Sequence, residues 1–130
     1  MCTTYEDLIT EYDGKINIEE RDMANAGLYC DGNIWINRRM TSREKKCILA
    51  EEIGHYETTV GDITRQEGVG DEKQELRARQ WGYRKIVPLD EIKKAAREGY
   101  NTPHELAEYL DVDECFLVDA LNYYKTRRMR

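Results

Sequence analysis

Five residues, Glu51-Glu52-Ile53-Gly54-His55, have the types and the spacing of a metal-gripping helix. Residues four apart on a helix stack on one face, so Glu51 and His55 can hold one cation together. The residue after the first of them points into the same cleft, where a carboxylate can take a proton from water; here it is Glu52. The string is His-Glu-x-x-His, a zinc-hydrolase helix signature, with its first histidine replaced by glutamate. At 100° per residue His55 lies about 40° from Glu51, and Ile48 projects between them. The polar pair therefore shares a face with apolar bulk, where a carboxylate is costly unless paired or coordinated. Gly54 costs about 1 kcal/mol against alanine in mid-helix, and close approach by another segment is a common reason to keep one.

A third corner is readable further on. A helix from about Asp71 to Val87 places Glu75, Ala78, Gly82 and Ile86 on one face, with Leu76, Tyr83 and Val87 beside it. Glu75 is thus expected inside an apolar arc, away from Lys73, Arg77, Gln80 and Arg84, and Gly82 is expected against Gly54. The predicted shell is Glu51, His55 and Glu75, with Glu52 as general base and a fourth position left to water, as zinc catalysis requires. Cys47 shares the stripe but lies ~12 Å along the axis from His55, too far to join. A plainer reading stands beside this one. The string arises easily in a chain with 26 acidic residues, and an i,i+4 Glu–His pair is commonly a surface contact.

The elements that must position these groups follow from periodicity and turn chemistry. With 130 residues the chain suits one compact domain. A first helix is expected from Thr4, with Asp7 three residues on and Leu8, Ile9 and Tyr12 inward. It ends at Asp13-Gly14, and Lys15 to Met23 holds a short extended segment at Ile16 and Ile18. Asp31-Gly32 between two apolar runs predicts a hairpin over Gly27–Asn37. Thr41 or Ser42 caps the motif helix, which runs to about Thr58. Its apolar Ile48, Leu49, Ile53 and Tyr56 spread around the circumference, which predicts a central, buried helix. Val60 to Gly70 reads as a loop, and Pro88 stops the next helix. Shorter helices are expected at Leu89–Glu98, Pro103–Leu110 (on a Thr102/Glu105 capping box) and Glu114–Lys125. The fold class is α+β: a mainly helical, zincin-like domain with a small antiparallel sheet and C-terminal helices. Residues 1–88 form the metal-site core and 89–130 a helical extension.

Composition narrows the function classes. A net charge of −6 and a pI near 5.0 argue against a chain-wide nucleic-acid surface, although Lys125–Arg130 is locally basic. Glu6, Asp7 and Glu11 interrupt any export signal, and no apolar run is long enough to span a bilayer. Cys2, Cys30, Cys47 and Cys115 lack paired metal spacing and are expected as reduced, mostly buried thiols in a cytoplasmic domain.

Together these pieces resemble one family, the ImmA/IrrE metallo-endopeptidases, in their phage and mobile-element form. The resembling parts are the Leu28–Ile36 hairpin, Cys47 to Tyr56, Thr58 to Asp62, Glu75 to Trp81, and Ile86-Val87-Pro88. In order they cover roughly residues 5 to 125. The family motif is usually His-Glu-x-x-His, completed by an acid on the following helix. The resemblance implies zinc held by Glu51, His55 and Glu75, with Glu72 as the alternative downstream acid and Glu52 catalytic. It also implies a helix-turn-helix repressor as the protein substrate, cleaved or otherwise inactivated. Glu51 departs from the pattern. Two carboxylates and one imidazole make a harder, more anionic site, so manganese competes better or metal is lost. The alternative is a degenerate relative that binds the repressor without cutting it. Substrate would add as a strand along the hairpin edge, with Tyr29 and Trp35 either shaping pockets or filling core.

Glu105 to Asp113 has the cadence of a helix-turn-helix start, with Leu106, Ala107, Leu110, Val112, Leu117 and Leu121 as its core. The presumed second helix from Glu114 to Leu121 offers two acids and no cation to bases or phosphates. Packing against the catalytic core is the expected role, and a small DNA-binding regulator is the least favoured reading.

Overall fold

Helix α1 (Tyr5–Glu11) begins on a reciprocal capping box. The Thr4 hydroxyl accepts from the Asp7 N–H, and the Asp7 carboxylate accepts from the Thr4 N–H. In the computed structural model, which describes residues 3–59 and 72–128, there follow β1 (Asn17–Arg21), β2 (Gly27–Cys30), β3 (Asn33–Asn37), α2 (Ser42–Thr59), α3 (Glu72–Ile86), α4 (Leu89–Arg97), α5 (Pro103–Leu110) and α6 (Glu114–Arg128). The segment read as a loop, Val60 to Gly70, lies outside the described residues. Among those described, no helix is long and apolar enough to cross a membrane.

The hairpin forms as the Asp-Gly pair requires, with φ of 49° at Asp31 and 81° at Gly32. The sheet is nevertheless mixed and not simply antiparallel. Strand β1 pairs with β3 in parallel, giving the order β1-β3-β2. Asn-Ile-Glu-Glu-Arg carries one apolar residue, so its strand state comes from its partner and not from propensity. Register and alternation put Ile34, Ile36, Gly27 and Tyr29 on the face toward α2, and Leu28 and Trp35 on the other.

Helix α2 is central: it touches α1, β2, β3 and α3, and buries Leu49, Ala50 and Ile53 completely. Against α3 it packs backbone to backbone, but not glycine to glycine. Gly54 meets the Ala78 backbone, and Gly82 meets Ala50. One turn back along α2 corresponds to one turn forward along α3, so the two helices run antiparallel. Leu76, expected beside the apolar face, is 49% exposed instead.

The C-terminal helices close the other side of the core. Thr102 and Glu105 form the expected capping box. Leu106, Ala107, Leu110, Val112 and Leu117 are buried, and α6 rests on α3 and α5. Helix α6 continues to Arg128, three residues beyond the expected end, with Arg127 reaching back over the Tyr123 ring at 5.4 Å; the Tyr124 hydroxyl donates to the Val87 carbonyl. Of the described cysteines only Cys47 is buried; Cys30 and Cys115 are exposed.

Among the described residues, Lys46 is the largest fully buried polar side chain. Its ammonium donates to the carbonyls of Leu110 and Asp111, both at 3.1 Å. It thereby caps the C-terminus of α5, where Asp111 turns left-handed at φ 59°. Lys46→Met is expected to destabilise the domain by roughly 2–3 kcal/mol, the worth of charged hydrogen bonds whose acceptors stay buried. Denaturant unfolding reads this directly.

Candidate metal centre

The close contact of α2 with α3 brings the three predicted ligand residues together. Glu51, His55 and Glu75 each present one donor atom, and these atoms all lie within 4.8 Å of one another. His55 Nε2 stands 3.4 Å from Glu75 Oε1. All three side chains are partly exposed, so the cluster opens to solvent. Glu75 sits at the rim, 44% exposed, and not within an apolar arc as its helical phase suggests. The side chain of Glu72, the alternative ligand, lies outside the described residues. One imidazole and two carboxylates converging from adjacent helices are a donor set that zinc or manganese can use.

Glu52 lies beside this cluster and behaves differently from its neighbours. Burial, followed by the charges of Glu51 and Glu75, pushes its carboxyl up to about 8. It is packed under the edge strand: a methyl group on Gly27 would sit 3.3 Å from Glu52 Oε2 and would press on Ile48. Gly27 therefore lets β2 cross directly over the candidate base. Burial also raises the Glu51 carboxyl, against the opposing charge of Arg79, whose Nε lies 3.7 Å from Glu51 Oε1.

Tyr29 and Trp35, paired as candidate pocket residues, are separated by the sheet. Tyr29 faces inward, edge-on to Tyr56 at 6.3 Å between ring centroids. Tyr56 in turn stacks edge-on with Tyr12, whose hydroxyl donates to Glu57. Trp35 lies on the opposite face, with the Arg21 guanidinium 4.7 Å from its ring centroid. The two rings therefore cannot line one pocket with Glu52. Strand β2, by contrast, is well placed. The Asn37 N–H donates to the Ala26 carbonyl. Antiparallel alternation then turns the peptide groups of Gly27 and Tyr29 toward the free edge of the described sheet.

Two residues of this centre escape a motif reading. Gly27 carries no signal in sequence beyond being a glycine before a strand. Arg79 carries one: it follows Glu75 by four, and so shares its helical stripe.

Neither the curated proteins nor the solved structures give a match to this chain. One family model does match, that of the IrrE N-terminal-like peptidase domain, over residues 8–122. That span includes the strand edge, both metal-site helices and most of α6. The chain belongs to the IrrE N-terminal-like peptidase family.

Proposed function

We propose that the protein is a metal-dependent endopeptidase that cuts a regulatory protein, with a helix-turn-helix repressor as substrate. The convergence of Glu51, His55 and Glu75 beside a buried Glu52 carries this reading. A divalent cation on those three residues would supply the Lewis acidity that makes water nucleophilic and polarises a peptide carbonyl. The chain's own residues do the rest. Without a cation, burial keeps Glu52 protonated near neutral pH; a bound cation would favour its carboxylate, which can then take a proton from water and return it, as a general acid–base group must. The outward peptide groups of Gly27 and Tyr29 can pair with an extended segment and align it over Glu52. Tyr56 and Tyr12 brace Tyr29 from below.

The test is to incubate the zinc- or manganese-loaded protein with a helix-turn-helix repressor encoded near its gene. Discrete fragments are expected, and chelation or Glu52→Gln should prevent them. Stable binding of an uncut repressor would instead favour the non-catalytic relative. With neither binding nor cleavage, the repressor is the wrong substrate.

A further inference from the structure

The site carries one more negative charge than the two-histidine pattern, and a cation stands beside the residue that brings it. Its ligand set holds two carboxylates, Glu51 and Glu75, where two imidazoles and Glu75 would hold one. Arg79 supplies the missing positive charge. The α2–α3 stagger that sets Gly54 against Ala78 places Arg79 opposite Glu51, with Nε 3.7 Å from Oε1. Both side chains are partly covered, 41% and 28% exposed, so the pair is less screened than a surface ion pair. One turn further along α3, the Tyr83 hydroxyl feels the same guanidinium, which opposes the effect of its burial. Among the described groups, Glu51 feels Arg79, Glu75 and His55, and of these Arg79 is the group opposing burial most strongly.

We propose that Arg79 is a positioning residue for the Glu51 ligand: it binds one side of that carboxylate, turns the other toward His55 and Glu75, and balances the charge that glutamate introduces. This rests on the metal-site reading above. Outer partners of this kind fix the orientation of a ligating carboxylate, and their loss typically costs 10–100-fold in metal affinity. Arginine suits the task because its planar donors hold a carboxylate in a defined orientation. Glu51 and Arg79 are therefore coupled features of one site.

The test is zinc affinity, measured by chelator competition on the full chain, in a double-mutant cycle. Arg79→Leu should weaken zinc binding by about 10-fold or more, and Arg79→Lys should recover part of it. In a Glu51→His background, where there is neither a second carboxylate oxygen nor an added charge, Arg79→Leu should have little effect. An equal loss in both backgrounds would reduce Arg79 to a structural residue and overturn the proposal. Tighter zinc binding in Arg79→Leu would overturn it as well, by making Arg79 a competitor of the metal. Failure of the parent chain to bind zinc overturns the metal site itself, and the pairing with it. A parent that binds zinc regardless of position 79 removes only the pairing.

Discussion

Glu52→Gln is expected to lower peptide hydrolysis by about 10²- to 10⁴-fold, the usual worth of a general acid–base group, while zinc binding persists. The same substitution has a signature that needs no substrate. In the unfolded chain the Glu52 carboxyl titrates near 4.5, and in the folded chain near 8. Below the lower value both states hold the proton and the difference vanishes. Between the two, the folded state keeps a proton that the unfolded state has released. Linkage then makes the metal-free protein lose stability as pH rises through that window and level off above it. The loss is at most a few kcal/mol, at about 1.4 kcal/mol per unit. Glutamine cannot ionise, so thermal unfolding of the metal-free Glu52→Gln protein should vary less between pH ~5 and ~8. Glu51, raised chiefly by burial, contributes the slope that remains. A slope identical to that of the parent would show that Glu52 is not the buried charge.

Among the described glycines, Gly54→Ala should be the most damaging change to alanine. A methyl group there runs into the carbonyl of Ala78, and backbone in the middle of α3 yields only if the helices separate. Overpacking of this kind costs about 1–3 kcal/mol, against the ~1 kcal/mol that alanine returns as a better helix former. Separation also moves Glu51 and His55 away from Glu75, so zinc affinity should fall even in the fraction that folds. Gly82→Ala is the control. Its methyl would stand 3.5 Å from Ala50, an ordinary contact. Alanine there should be neutral or stabilising, by up to ~1 kcal/mol. Equal behaviour of the two variants would refute the account of how α2 and α3 set the site.

What could be read from the residues, and what could not, divides by range. The α1 capping box, the Asp31-Gly32 turn and the helix starts are local events, decided within four or five residues, and they form as expected. Helical phase also sufficed to bring Glu51, His55 and Glu75 together, because three residues on two adjacent faces need only those helices to touch. Longer-range partners were invisible. Nothing in Asn17–Arg21 announces a parallel strand, since its pairing depends on where β3 lies. A lysine in a charged helix reads as solvated, so the burial of Lys46 follows only from the return of α5 over α2. The two glycines suggested a close crossing, but phase alone leaves the stagger open, and each meets an alanine. Alternation within one strand does not say which face of the sheet holds the site; Tyr29 and Trp35, each open to a pocket or a core role, turn to opposite faces.

Arg79 shows how a departure from a motif becomes legible once its neighbours are known. In sequence Glu51 is a mismatch. Beside Arg79 it is a carboxylate with a counter-ion, next to an imidazole and a second carboxylate. On the proposed reading, that arrangement is a changed ligand set with its own compensation.

Metal content tests the central claim most directly. Protein purified without chelators, or reconstituted and desalted, should carry one zinc or manganese ion per chain by elemental analysis. His55→Ala should lose that ion while remaining folded, because His55 lies at the partly exposed cluster and not in the core. A parent chain that holds no divalent metal after reconstitution would contradict the account. So would a parent whose metal is indifferent to His55.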